Sequence, residues 1–231
     1  MMEQEKGKKY AIVVAGGKGV RMGTAVPKQF LLLSGKPLLM HSLEAFYKAD
    51  PEIVLILVLP EFQQDYWKEL CVQYDFQLVH QIANGGDTRF ESVKNGLALT
   101  DNHGLIAVHD GVRPFINTAL IERCYQAAQQ FGGAVPVTEL TESIRKLEGE
   151  TSFSVHRETF RFVQTPQVFR AEILKKSYET PYRESFTDDA SVVEAAGFKV
   201  ELVEGLTGNI KITNTIDLLL AEQMSKFNPG L

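Results

Sequence analysis

The chain has 231 residues, of which 44% are apolar and 23% are charged, and its formal net charge is −5. These proportions predict a globular protein with a sizeable core and exclude a chain that is disordered throughout. The negative net charge argues against a nucleic-acid-binding protein, since such proteins are usually basic. A few cations in one pocket would still permit binding of small anions. The longest apolar run, residues 53–59, is too short to span a bilayer.

The N-terminal stretch is polar and charged, without the apolar segment of a secretory signal. We therefore expect a cytoplasmic protein with neither a membrane nor a nucleic acid as partner. The two cysteines, Cys71 and Cys124, lie far apart and show no metal-binding spacing. We interpret both as packed thiols.

Strand and helix patterns alternate from residue 10 to residue 138. Apolar runs predict buried strands at 10–15, 53–59, 77–82, 105–109 and 134–138. Helical spacing predicts helices at 37–47, 62–74, 89–99 and 118–131, the last with Thr118 as N-cap and Gly132 at its end. This alternation predicts an α/β fold, with a mostly parallel twisted sheet flanked by helices. Ligands of such sheets bind beyond the carboxyl ends of the strands, which here lead into the loops 15–28, 83–89 and 110–114.

The alternation stops between residues 139 and 167. The patterns there predict strands at 143–147, 153–157 and 160–164, which is typical of an antiparallel arm. The alternative is a decorative hairpin at the sheet edge. Helices follow at 171–178, 188–196 and 215–227, with a strand at 199–203. We interpret residues 1–231 as a single domain with 139–167 as a protruding β-arm.

A glycine-rich loop follows the first strand. Its glycines would let backbone N–H groups approach an anion. The loop begins at Ala15 and contains Gly16, Gly17, Gly19 and Gly23. Arg21 adds a bidentate fork for phosphate, and Lys28 adds a point charge. Neither the Walker A spacing nor the dinucleotide fingerprint GxGxxG is met. Because both cations accompany the loop, we interpret it as a triphosphate-binding loop rather than a plain tight turn.

Two further strand ends carry polar residues. Gly86, Asp87 and Ser92 follow the third strand, where the double glycine offers a flat surface for a base. The alternative is that Asp87 and Ser92 cap the next helix. Asp110 and Arg113 follow the fourth strand. A carboxylate there is costly unless it is paired or holds a metal, so an Asp110–Arg113 ion pair is the structural alternative.

Two candidates lie later in the chain. Thr187 and the two aspartates after it are placed to cap a helix. Lys211 alternates with two isoleucines, so a strand there would turn it to the opposite side from them. It is a third cation for phosphates if that side faces the pocket, and a solvated edge lysine otherwise. The five histidines show no zinc-binding spacing, so we assign them structural roles.

These segments in this order resemble the 2-C-methyl-D-erythritol 4-phosphate cytidylyltransferases of non-mevalonate isoprenoid biosynthesis. The resemblance runs from about Tyr10 to the final helix and rests on AGGKGVRMG with PKQ, GGDTR with a later Ser, HDGVRP, QTPQ, FTDDAS and LVEG with NIKIT. It implies a Rossmann-like nucleotidyltransferase fold, CTP and a polyol phosphate as substrates, Mg²⁺ or another divalent cation, and a homodimer joined by the β-arm.

The resemblance also implies roles for particular residues. The catalytic cations fall on Arg21, Lys28 and Lys211. Cytidine contacts fall on Gly86, Asp87 and Ser92, beside the loop residues Ala15, Gly16, Gly17 and Gly19. Substrate contacts fall on Asp110, which also lies near the metal, and on Arg113, Arg157, Thr165 and Thr187. Arg157 and Thr165 are expected to reach into the partner's site.

The sequence departs from the family pattern in two places. Gly16 stands where the family usually has alanine, which loosens the loop but keeps its N–H groups. After Lys211 the chain reads Ile-Thr-Asn-Thr-Ile-Asp, where Thr-Pro-Glu-Asp is commoner, and we interpret this as surface variation at a helix start.

Three other functions fit parts of the sequence. A ribitol-5-phosphate cytidylyltransferase shares the fold and reaction, but GGDTRFESV and TDDASVVE fit the erythritol family better. A non-catalytic nucleotide-binding subunit is expected to lack the cations, which are present here. The glycine spacing disfavours a Rossmann oxidoreductase.

Overall fold

The computed structural model describes residues 7–15 and 26–227. The strands are β1 (Lys9–Val14), β2 (Leu32–Leu33), β3 (Lys36–Pro37), β4 (Val54–Leu59), β5 (Gln81–Asn84), β6 (Leu105–Asp110), β7 (Gly133–Thr138), β8 (Arg145–Glu148), β9 (Thr151–Ser154), β10 (Phe162–Val163), β11 (Gln167–Arg170) and β12 (Glu201–Glu204). The helices are α1 (Leu38–Ala49), α2 (Glu61–Gln73), α3 (Arg89–Leu97), α4 (Thr118–Phe131), α5 (Ala171–Ser177), α6 (Asp189–Ala195) and α7 (Thr215–Phe227).

Within the described residues the main sheet has eight strands, and its parallel half confirms the predicted βαβ units. β5, β4, β1 and β6 lie side by side and run parallel. β1 and β4 are largely buried and β6 is completely buried, as expected of strands covered on both faces. Their carboxyl ends therefore open together at one edge of the sheet.

The other half of the sheet contains a strand that the sequence did not predict. β11 pairs antiparallel with β6 and with β7, and it is buried over three of its four residues. β12 pairs parallel with β7, and β10 pairs antiparallel with the end of β7. The sheet is thus mixed, and β11 links the first four strands to β7.

Helices cover both faces of the sheet. One core cluster includes Leu39 of α1, Trp67 of α2 and Leu120 of α4. The cluster on the opposite face includes Phe90 of α3 and Val193 of α6. The mostly parallel sheet between two helical layers confirms the predicted fold class. No helix in the described ranges has the length and apolar character needed to cross a membrane.

The ends of α4 agree with the sequence only in part. Its N-cap is Asn117 and not Thr118, because the Asn117 side chain accepts the N–H of Leu120 at 2.9 Å. Thr118 is instead the first helical residue. Gly132 ends the helix with a φ of 94°, a left-handed conformation that favours glycine and confirms the predicted stop.

The antiparallel excursion begins after β7 and contains the hairpin of β8 and β9. Both hairpin strands are mostly exposed. Residues 162–163 already pair with the main sheet, and Gln164, Thr165 and Gln167 are buried. The part that leaves the sheet therefore ends a few residues before the boundary at 167 that the sequence suggested.

Both cysteines are free thiols, as expected. Burial raises the pKa of Cys71 to about 11 and that of Cys124 to about 12. Both sulfurs therefore stay protonated near neutral pH, which suits packed side chains and not nucleophiles.

Candidate active site

A cavity of about 380 Å³ lies where β1, β5 and β6 end. Its walls hold seven of the predicted site residues, which are Ala15, Lys28, Gly86, Asp87, Ser92, Asp110 and Lys211. These residues come from five separate segments of the sequence. The loops expected at the carboxyl ends of the strands thus meet at one place, as parallel topology requires.

Ala15 and Lys28 flank the glycine-rich loop, whose Gly16, Gly17, Gly19 and Arg21 lie outside the described residues. Gln29 joins the two flanks, since its Nε2 donates to the Ala15 carbonyl at 2.9 Å and to Gln63 Oε1 at 2.6 Å. Gln29 is also nearly fully buried. No role was predicted for Gln29, because a single Gln after Pro-Lys carries no periodic signal.

Gly86 and Ser92 form a compact corner before α3. The Gly86 N–H donates to Ser92 Oγ at 3.0 Å, and that hydroxyl donates to the Thr88 carbonyl at 2.9 Å. A Cβ on Gly86 would stand 2.3 Å from Cβ of Glu91, so only glycine fits there. The N-cap of α3 is Thr88, which forms a capping box with Glu91. Capping therefore does not explain Asp87, which is exposed and lines the cavity.

Asp110 lies at the centre of an ion cluster. Its Oδ2 is 2.8 Å from Lys211 Nζ and 3.5 Å from Arg113 Nε, and its Oδ1 is 3.6 Å from Arg89 Nε. Burial opposes ionisation of this carboxyl, but the charges of Arg89, Lys211 and Arg113 outweigh burial and hold the pKa of Asp110 well below its usual value. The predicted Asp110–Arg113 pair exists, as part of a larger cluster.

A buried hydrogen-bond chain fixes the backbone of Asp110. The Asp110 N–H donates to Thr165 Oγ1 at 3.1 Å, and that hydroxyl lies 3.0 Å from His109 Nδ1. The other ring nitrogen, Nε2, is 3.1 Å from the Arg113 carbonyl, which can only accept. His109 Nε2 therefore carries the proton, and Nδ1 accepts from Thr165. Burial lowers the pKa of His109 to about 4, so the ring is neutral and structural, as expected.

These hydrogen bonds correct the expectation for Thr165. The sequence placed it among the residues that reach into a partner's site, but its side chain is buried in its own subunit. Its hydroxyl is engaged by Asp110 and His109, and its carbonyl accepts Asn209 Nδ2 at 2.8 Å. Thr165 thus supports the position of Asp110 from within the same chain.

Lys211 reaches the cavity, but not from a strand. Residues 209–213 form no strand, because the Ile212 N–H bonds to the Val112 carbonyl at 2.9 Å without a continuing ladder. The predicted alternation still holds for these side chains. Ile212 is fully buried, and Lys211 extends to Asp110. The solvated-edge interpretation of Lys211 is therefore wrong.

The remaining predicted site residues lie outside the cavity wall. Arg113 is mostly buried beside Asp110, and its Nη1 donates to the Asn209 carbonyl at 2.8 Å. Thr187 is exposed just before α6. Asp188 is the N-cap of that helix, so the segment caps a helix as predicted. Arg157 lies exposed in the antiparallel excursion and donates to the Thr141 carbonyl. The subunit alone does not bring Arg157 to the cavity.

Three other cavities are larger, at about 500, 730 and 490 Å³, but none of them gathers a comparable set of charges around one buried carboxylate. The 380 Å³ cavity is also lined by Arg89, which was not predicted as a site residue. The available signal was the position of Arg89 at the first turn of a helix that follows a double glycine. We therefore assign the site from its chemistry and not from its size.

Comparison with known proteins identifies the family. The model of the family described as IspD, 2-C-methyl-D-erythritol 4-phosphate cytidylyltransferase, matches residues 10–226. The curated enzyme of that name from Bacteroides thetaiotaomicron is 52% identical over 217 residues, covering 94% of this chain and 99% of the relative. The enzyme of that name from Phocaeicola vulgatus is 53% identical over 214 residues, covering 93% and 98%.

Solved structures agree with this result. The 4-diphosphocytidyl-2C-methyl-D-erythritol synthase from Anaerococcus prevotii superposes with a TM-score of 0.80 at 25% identity, over 95% of this chain and 98% of that one. The 2-C-methyl-D-erythritol 4-phosphate cytidylyltransferase from Thermus thermophilus gives a TM-score of 0.74 at 32% identity, over 94% and 98%.

Fold and site together define an α/β nucleotidyltransferase. The chain belongs to the 2-C-methyl-D-erythritol 4-phosphate cytidylyltransferase family and is a cytidylyltransferase of isoprenoid biosynthesis. These findings favour the erythritol reaction over ribitol phosphate transfer and over a non-catalytic subunit.

Proposed function

We propose that the cavity at the ends of β1, β5 and β6 binds CTP and 2-C-methyl-D-erythritol 4-phosphate side by side and transfers CMP to the acceptor. The observation that carries this proposal is the convergence of Lys28 and Lys211 on one cavity around ionised Asp110. No histidine or cysteine is among the described residues that line it. A site with cations and no activated nucleophile suits a substrate that brings its own nucleophile.

The acceptor phosphate supplies that nucleophile. A phosphate monoester has a second pKa of about 6, so it is mostly ionised near neutral pH and needs no general base. One of its oxygens bonds to the α-phosphorus of CTP. The bond from that phosphorus to the bridging oxygen of the β-phosphate breaks, and pyrophosphate leaves with the electron pair. Lys28 and Lys211 bring the two polyanions together and stabilise the charge on the α-phosphate, with Arg21 as a third expected cation.

Nucleotide recognition is assigned to the corner before α3. Gly86 leaves the space that a side chain would fill, and Asp87 and Ser92 offer polar atoms beside it. Ala15 opens the glycine-rich loop, where Gly16, Gly17 and Gly19 remain predicted phosphate contacts. In this proposal the base lies near β5 and the triphosphate lies near β1.

Asp110 is the residue that we propose to hold Mg²⁺. The described residues contain no group of three or more His, Cys, Asp or Glu side chains able to hold a metal alone. Mg²⁺ is commonly bound by one or two carboxylates together with substrate phosphates, so one ionised carboxylate on the cavity wall fits it. The ion would neutralise phosphate charge as the reaction proceeds.

The acceptor half of the site is proposed to involve a second subunit. Arg113 and Thr187 of one subunit and Arg157 of the other are the expected contacts. Support comes from apolar side chains left exposed on and beside the excursion, including Leu147 at 76% and Phe153 at 51%. Such a surface is typical of a protein–protein interface, and a homodimer would cover it. A cytoplasmic location stays a prediction from the sequence.

Pyrophosphate release tests this function. CTP, UTP, ATP and GTP are each supplied with 2-C-methyl-D-erythritol 4-phosphate or ribitol 5-phosphate, in the presence of Mg²⁺. We expect release with CTP and the erythritol phosphate, and much less from every other combination. Release that prefers ribitol phosphate would reject the assigned acceptor, and no release from CTP with either acceptor would reject catalysis.

A further inference from the structure

One buried ion pair borders the cavity without being part of the proposed chemistry. Asp189 is fully buried at the start of α6, and it accepts two bonds from Arg89 at the start of α3, from Nη1 at 3.0 Å and from Nη2 at 2.7 Å. The Tyr178 hydroxyl donates to the same carboxylate at 2.6 Å. Both terminal nitrogens of the guanidinium are therefore held on the side away from Asp110.

The remaining edge of the guanidinium faces the catalytic cluster. Arg89 Nε lies 3.6 Å from Asp110 Oδ1, close enough for electrostatic attraction but long for a hydrogen bond. Asp110 Oδ2 meanwhile binds Lys211 at 2.8 Å. An arginine fork binds a carboxylate best through two parallel hydrogen bonds. Without a competing partner, Arg89 would therefore form such a pair with Asp110 and displace Lys211.

Asp189 is itself held from two directions. The Gln167 amide links α6 to β11, since Nε2 donates to Asp188 Oδ2 and Oε1 accepts the Ala190 N–H, both at 2.8 Å. On the other side, the Tyr178 ring stacks on Phe90 with centroids 4.6 Å apart. The competing carboxylate therefore has little freedom to follow Arg89 toward the cavity.

We propose that Asp189 is a positioning residue for cytidylyl transfer, which holds the Arg89 fork away from Asp110 and so keeps Asp110 paired with Lys211. It acts through these residues and does not touch the substrates. The inference rests on the proposed roles of Asp110 and Lys211.

The test is a double-mutant cycle on kcat with Asp189→Asn and Lys211→Ala. Since the two residues are coupled through shared partners, we expect Asp189→Asn to lower kcat roughly tenfold in the wild-type background. In the Lys211→Ala background, where no lysine remains to be positioned, the same change should lower kcat less than about twofold. A purely structural role would lower kcat by the same factor in both backgrounds, and that result would overturn the inference.

Asp188→Asn is the matched control, because it makes the same change one residue earlier. It removes the charge of the α6 N-cap but keeps an amide oxygen that can accept the bond from Gln167 Nε2, so the Arg89 pair and its support stay intact. We expect a lower melting temperature with kcat per folded molecule unchanged. If Asp189→Asn does not fold, Tyr178→Phe carries the same cycle, since it removes one hydrogen bond to Asp189 and keeps the ring.

The outcomes separate this inference from the proposed function. A wild-type kcat for Lys211→Ala rejects the role of Lys211 and the inference with it. A low kcat for Lys211→Ala, with Asp189→Asn equally harmful in both backgrounds or harmless in the wild-type background, rejects the inference alone.

Discussion

Lys211→Ala is expected to lower kcat by about 10²–10³-fold, the loss found when one preorganised group that stabilises transition-state charge is removed. Lys211 Nζ lies on the cavity wall, 2.8 Å from Asp110 Oδ2, and its side chain is 39% exposed. The ammonium is thus anchored and still accessible to a phosphate. Because charge on the α-phosphate grows during the reaction, we expect kcat to fall more than the KM for CTP rises.

Steady-state rates of pyrophosphate release measure this effect. Lys68→Ala is the matched control, since Lys68 pairs with Asp65 at 2.8 Å on the exposed surface of α2. That variant should keep wild-type kinetics, because an exposed ion pair contributes little. A wild-type kcat for Lys211→Ala contradicts its assigned role, and a rise in KM alone would make it a binding residue only.

Asp110→Asn is expected to damage both stability and activity. Three cations face this carboxylate within 3.6 Å, and the change leaves them without the negative charge between them. Breaking a buried ion pair by removing one partner typically costs about 3–5 kcal/mol of unfolding free energy. Activity should fall by about 10²-fold or more, because Lys211 loses its anchor as well.

Urea unfolding and rates measured against Mg²⁺ concentration separate the two effects. If Asp110 holds the ion, the Mg²⁺ concentration for half-maximal rate should rise by about 10–100-fold in the folded fraction. Asp65→Asn, at an exposed carboxylate, should change neither the unfolding midpoint nor the Mg²⁺ requirement. An unchanged Mg²⁺ requirement in Asp110→Asn would mean that Asp110 does not hold the ion and only organises the surrounding cations.

The parallel half of the fold was predictable because its signals are local. A six-residue apolar run such as Val54–Leu59 is buried wherever it lies in a parallel sheet, so the pattern in the sequence already identifies the strand. The boundaries were less accurate at β5, predicted at 77–82 and observed at Gln81–Asn84. Its burial alternates only weakly, and its register is set by pairing with β4.

The half of the sheet that contains β11 was not predictable, because its signals are not local. β11 reads Gln-Val-Phe-Arg, which is too short and too polar at its ends to be recognised as a strand. Its pairing with β6 and β7 joins segments that are distant in the sequence. The insertion of β11 also explains why Thr165 lies under Asp110 and not in a partner's site.

The candidate site also has one part that the sequence predicts and one part that only the fold reveals. Glycines and cations after strands indicate phosphate binding from the sequence alone, and the cavity gathers Lys28, Gly86 and Lys211, whereas Arg113 lies beside Asp110 outside the cavity wall. The Arg89–Asp189 pair joins residues that are 100 positions apart, and neither residue type nor spacing connects them. Long-range polar pairs of this kind depend on tertiary packing, so they appear only with the fold.

A heterodimer of two inactive variants tests most directly the claim that the Lys211 cavity of one subunit is completed by Arg157 of the other. Lys211→Ala and Arg157→Ala chains with different tags are co-expressed, and the mixed dimer is isolated through both tags. A twofold dimer then holds one cavity with both residues intact, so it should release pyrophosphate at about half the wild-type rate. A mixed dimer as inactive as both parents, or the absence of any mixed dimer, contradicts the account.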